Sequence, residues 1–133
     1  MARYSTIRGW IQLYGEVLPQ IEEIILEFRG IYQDYDLSKD AGEAYQQGWT
    51  LQRKPYNIPL FIFYGAIVRS SSKAFIKDQV KKIATTVYSE DPPYKDYVRG
   101  MFVINDENED FARLWQFEDG VFKESRKKNL FTK

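Results

Sequence analysis

Two four-residue stretches, Arg8-Gly9-Trp10-Ile11 and Arg99-Gly100-Met101-Phe102, each set an arginine and a glycine beside two apolar residues. Guanidinium groups bind carboxylates in a bidentate manner and stack on aromatic rings, so two of them beside Trp10 suit an anionic or aromatic ligand. The plainer reading is two solvent-facing arginines on paired strands. Aromatic residues make up 17% of the chain, more than a core of this size obviously needs. Because Trp, Tyr and Arg dominate interface hot spots, Trp10, Trp49, Tyr64 and Trp115 with nearby arginines are candidates for a binding surface. The competing reading puts most of these rings in the core.

Other constellations carry less. Ser70-Ser71-Ser72-Lys73 offers a hydroxyl and an amine for nucleophilic work, but the start of a helix explains it more simply. The acidic turn Asp106-Glu107-Asn108-Glu109-Asp110 could hold a hard cation through carboxylate oxygens. It has neither the spacing of a calcium loop nor the glycine that bends one, which favours a solvated turn. The chain has no histidine and no cysteine, which removes the commonest general base, the commonest metal ligand and all thiol chemistry. Carboxylates could still do acid–base work, yet every clear cluster sits in a polar stretch where a pKa need not shift. Phosphate-cradling and dinucleotide motifs are missing from the sequence. The expectation is a non-catalytic protein with no metal and no cofactor.

With 133 residues, 44% of them hydrophobic and 29% charged, the chain has the make-up of one soluble domain with one core. Nineteen Lys and Arg balance nineteen Asp and Glu, so the basic excess that drives contact with phosphate backbones or anionic membranes is lacking. The run Leu60-Phe61-Ile62-Phe63-Tyr64-Gly65 also lacks the basic and glycine positions of the sheet motif that binds single-stranded RNA. Nucleic acid is thus the third-ranked partner. No apolar stretch has the length of a signal peptide or of a membrane helix, and a cytoplasmic protein without membrane contact is expected.

These residues must be positioned by elements that alternate in type. Tyr4 to Leu13 has the period of two of a half-buried strand. Val17, Leu18, Ile21, Ile24, Ile25, Phe28, Ile31 and Tyr32 draw a helical stripe, with Pro19 in its first turn. Asp34 to Ala44 reads as a connection, Gln46 to Arg53 as a second strand, and Lys54 to Pro59 as a turn. Leu60 to Val68 is apolar on both parities, which fits a strand covered on both faces or one with an exposed apolar patch. A helix from about Lys73 to Val87, a Pro-containing loop, a strand from Val98 to Ile104, a strand from Phe111 to Phe117 and a hairpin turn at Asp119-Gly120 complete the order β-α-β-β-α-β-β-β.

That order fits an α+β fold of the ferredoxin-like split βαβ kind, an antiparallel sheet with two helices on one face and a C-terminal hairpin added. Residues 1–124 would form the domain and 125–133 a basic tail. With the first strand beside the fourth, Gly9 and Gly100 face the helices and permit their close approach. Arg8, Trp10, Arg99 and Met101 then share the opposite face. Arg113 and Trp115 join them if the last hairpin pairs with the fourth strand. The expected function is a protein-binding module that engages its partner through this aromatic and arginine-bearing face or through its acidic loops, in concrete form an immunity or antitoxin-type inhibitor or a regulatory accessory protein. The alternative is a sensor or minor enzyme in which Arg8, Arg99 and Tyr64 hold an anionic small molecule. A homodimer formed through the same face is a further option.

Overall fold

A computed structural model describes residues 3–52, 59–90 and 96–128. Strand β1 (Tyr4–Leu13) runs through a short 3-10 turn into helix α1 (Leu18–Phe28), with Pro19 in the first turn, where no amide hydrogen is needed. The apolar stripe puts Ile21, Ile24, Ile25 and Phe28 in the core. The helix stops at Phe28, earlier than the stripe suggests. The amides of Arg29, Gly30 and Ile31 turn back to the carbonyls of Leu26, Glu27 and Phe28, a tightened last turn ahead of a glycine. Ile31 and Tyr32 still pack on the core from outside the helix.

Helix α2 (Lys39–Gln46) occupies most of the stretch expected to be a connection. Ser38 caps it, its hydroxyl accepting from the Ala41 amide at 3.1 Å. Only Gly42 and Gln46 are buried in it, so no apolar stripe advertises it. Strand β2 is accordingly short (Trp49–Leu51), because Gln46 belongs to the helix; Arg53, the expected end of that strand, and the turn at 54–58 lie outside the described residues. Strand β3 (Leu60–Arg69) leads through a 3-10 turn at Ser70–Ser72 into helix α3 (Lys73–Thr86). A two-stranded ribbon, β4 (Tyr88–Ser89) with β5 (Asp96–Tyr97), brackets the Pro-containing segment. The chain continues as β6 (Arg99–Asp106), β7 (Phe111–Glu118) and β8 (Val121–Lys128). Asp119 and Gly120 both take positive φ, 54° and 78°, as a two-residue hairpin turn requires.

The main sheet is antiparallel throughout, with six strands in the order β2-β3-β1-β6-β7-β8. This is a mixed α+β fold; the third helix and the extra ribbon depart from the expected element count. The basic segment expected to be a tail is in part strand, since Ser125 to Lys128 pair with β7 up to Lys128 opposite Phe111. The main-sheet residues of the large core cluster come from one face, including Ile7, Ile11, Ile62, Tyr64, Phe102 and Trp115, and the helices pack there; Ala112 and Leu114 of β7 are buried on the other face. Gly9 and Gly100 do lie on that face, but rings of the sheet fill the space above them. A methyl group on Gly9 would meet the Phe102 ring and the Met101 carbonyl, and one on Gly100 would meet the Trp10 carbonyl and the Phe117 ring.

On the helix side, a buried pair of amides joins all three helices. Gln46 Nε2 donates to Gln79 Oε1 at 2.9 Å and to the Ile25 carbonyl at 3.1 Å; Gln79 Nε2 donates to Gln46 Oε1 at 2.8 Å and to the Phe75 carbonyl at 3.0 Å. Such groups are tolerated in a core only when each finds its partners.

Two predictions follow from these contacts. Gly9→Ala should lower stability by about 3 kcal/mol, because backbone as well as a ring must move; a urea midpoint unchanged from wild type would contradict the close packing. Gln46→Leu and Gln79→Leu should each cost about 1–3 kcal/mol, while the double variant should cost less than the sum, since removing both partners strands fewer polar atoms. Additive losses in the same urea titration would show that the two amides do not act as a pair.

Candidate functional site

The face of the sheet turned away from the helices carries the residues that could meet another molecule. Its rows follow from the strand registers. Phe63, Trp10, Met101, Gln116 and Lys123 lie side by side across β3, β1, β6, β7 and β8, and Gly65, Arg8, Val103, Leu114 and Ser125 form the next row. Successive residues of a strand alternate between faces, so the apolar content of β3 on both parities divides between core and surface. Ile62, Tyr64 and Val68 go inward, whereas Phe63 and Ile67 stand 51% and 66% exposed. Trp10 packs edge-on against Phe61, centroids 5.9 Å apart, and Phe61 stacks with Phe63 at the same spacing.

The arginines are held along this surface by amide side chains. Arg8 Nη2 donates to Asn105 Oδ1 at 2.9 Å, and Arg99 Nε donates to Gln12 Oε1 at 3.0 Å. An open trough of about 700 Å³ runs between Trp10, Arg99, Met101, Gln116, Val121 and Lys123. Arg8, Trp10, Arg99 and Met101 are therefore together on one face.

Tyr64, Arg113 and Trp115 are not with them. Tyr64 is 3% exposed on the helix side, its hydroxyl donating to the Tyr45 carbonyl at 2.6 Å, and burial pushes its pKa up. It cannot converge with Arg8 and Arg99 on a small anion, because the sheet lies between them. Trp115 pairs with Phe102 rather than Met101, and this register turns it inward, 1% exposed. Its indole Nε1 donates to Glu124 at 2.9 Å. Trp49 is likewise in the core, ring to ring with Tyr64 and Phe102.

Arg113 joins a polar latch instead, together with the serine–lysine stretch. Asp106 accepts from Lys73 Nζ at 2.7 Å and from the Ser5 hydroxyl, and Arg113 Nε lies 3.4 Å from its second oxygen. Ser5 and Ser70 share a hydrogen bond of 2.7 Å. An ammonium that donates to a carboxylate has no lone pair with which to accept a proton from serine, so this grouping ties β1, β6, β7 and α3 together and does not assemble a nucleophile. Glu124 makes a similar tie, accepting from Lys77 at 2.8 Å and from Trp115. Ser72 precedes α3 without a side-chain cap. Asp106, expected in a solvated turn, closes β6 with its carboxylate in the latch, and Asn108 turns the chain with a φ of 64°. Among the described residues no group of three or more acidic side chains is placed to hold a metal ion. No helix among them is long and apolar enough to cross a membrane.

Burial alone would raise the Asp106 and Glu124 carboxyls, but donated hydrogen bonds and neighbouring cations outweigh it and hold both below their ordinary values of 3.8 and 4.5. Their folded pKa values being depressed, both carboxyls contribute stability at neutral pH. That contribution starts to fade below the ordinary values and is lost as pH falls through the depressed ones. Asp106→Asn should cost about 1–3 kcal/mol at neutral pH, and the difference from wild type should shrink as the medium is acidified to about pH 3. Urea midpoints measured at both pH values check this, and a difference that grows in acid would mean the sign is wrong.

Comparison with protein-family models, with curated proteins and with solved structures finds no match for this chain.

Proposed function

We propose that this chain is a non-catalytic protein-binding module whose contact surface is the open face of its main sheet. The observation that carries the reading is the exposure of Phe63 and Ile67 on β3, with half-buried Trp10 and Met101 in the row of Phe63, on a face that, apart from buried Ala112 and Leu114, turns away from the core. Contiguous apolar surface rimmed by polar groups is costly to leave in water and marks a docking site. The open trough supports the same reading, since small ligands favour enclosed pockets that cover most of their surface. An immunity or antitoxin-type inhibitor is the concrete form we favour, because such a protein acts by occluding a partner and needs no reacting group. We also read the sheet as an elaborated split βαβ arrangement, with β2, β3, β1 and β6 as its four strands and α1 and α3 as its helices. In that reading α2, the ribbon and the β7–β8 hairpin are additions.

A photo-crosslinking residue at position 63 should trap a protein partner in the source cell, while the same residue at Leu26, which is exposed on helix α1, should not. The adduct should disappear when Trp10→Ala and Arg99→Glu are added. Equal yields from the two positions, or an adduct indifferent to those substitutions, would remove the open face from consideration.

A further inference from the structure

We infer that the partner presents an acidic surface around an apolar centre, an inference that rests on the open face being the docking site. The chain as a whole is neutral, but its charges are not evenly spread. Between Tyr14 and Gln47, the stretch that builds α1 and α2, eight carboxylates stand against Arg29 and Lys39. On the open face the balance reverses: among the described residues the registers place Arg8, Arg69, Arg99, Lys123 and Lys127 there, all exposed, against Glu118. The acids of the β6–β7 turn lie beyond the ends of the strands. Arg99, Lys123, Lys127 and Arg69 fall toward the ends and the outer edge of the face, around Phe63, Trp10, Met101 and Val103, with Arg8 among them on the middle strand; Leu114 and Ala112 of the same face are buried. This is the anatomy of a protein interface, apolar at its centre and charged at its rim, and a rim of one sign selects a partner of the other and speeds their encounter.

The same distribution weighs against the other occupants. A second copy docked face to face would bring together two rims of the same sign. A single-stranded nucleic acid would find few free ring faces, because Phe61 stacks with Phe63 and Trp10 abuts Phe61, and the most exposed apolar residue of the face, Ile67, has no π-face to offer.

The test is selection of a random peptide library displayed on phage against the full chain, followed by titration of the enriched peptides in solution. Enriched peptides should combine Asp or Glu with Leu or Phe. Their affinity should fall about tenfold in the Arg8→Glu/Arg99→Glu/Lys123→Glu variant, and it should weaken as salt is raised. Phe63→Ser, a change at an exposed position that spares the core, should abolish binding, with circular dichroism confirming that each variant is folded. Neutral or basic peptides that still need Phe63 would overturn the acidic partner while leaving the docking face in place. Peptides indifferent to Phe63→Ser, or no enrichment at all, would overturn both. Tight binding of oligothymidylate that is lost in the charge-reversed variant would replace the protein partner by a nucleic acid, and a dimer in light scattering that Phe63→Ser dissociates would replace it by a second copy.

Discussion

The arrangement of this molecule turns on the Phe102 ring. It is wholly buried in the middle of the sheet, and it fits because Gly9, its cross-strand neighbour, has no side chain to oppose it. Around it stand Trp49, Tyr64, Trp115 and Phe117, with centroids 6.1 to 6.4 Å away. These rings come from β2, β3 and β7, so a single aromatic cluster spans the sheet from its short edge strand to the hairpin. Aromatic side chains bury more area than any others, and angled neighbours gain from their quadrupoles. The cluster therefore fixes which face of each strand is the inside, and with it which aromatics remain outside. Two of the three tryptophans belong to the core for this reason, and Trp10 does not.

This division explains what the sequence made legible. The alternation in β1 is clean, and Arg8 and Trp10 could be assigned to one face from it alone. Leu60 to Arg69 is apolar on both parities; which of its residues stay exposed depends on no described element lying over the second face, a tertiary fact. In β7 the difficulty is sharper. Ala112 and Leu114 are apolar, as are Trp115 and Phe117, so either parity could face the core. The register across the Glu107–Asp110 turn decides, and a slip of one residue would have turned Trp115 and Arg113 outward. Helix α2 was illegible for another reason: its buried contribution is a glycine and an amide, and a polar anchor leaves no periodic trace.

Hydrogen bonds do around the rim what the aromatic cluster does at the centre. Asp106 joins the ends of β1 and β6 to α3 and β7, and Glu124 joins the outer strand β8 to α3. Both carboxylates are partly withdrawn from water, where breaking a pair costs more than an exposed bridge would. Lys82 and Glu27 show the contrast, a 2.7 Å contact between exposed side chains that adds little. The serine–lysine stretch belongs to this framework: residue types suited to catalysis are engaged here in holding elements together.

The neutral composition conceals an uneven molecule. Net charge sums over faces that point in different directions, and a partner meets only one of them. Strand β8 makes the point locally: it is an edge strand, the position most exposed to unwanted pairing, and Lys123, Arg126, Lys127 and Lys128 line it against Glu124. Lysines on an edge discourage a second sheet from adding to it. Because side chains alternate, Lys123 and Lys127 serve that purpose while also contributing to the rim of the open face, and Arg126 instead covers the Phe111 ring, 4.3 Å from its centroid, on the other side. The cations that discourage strand addition at this edge are thus the same ones that, in the proposed interface, would select an acidic surface for the face.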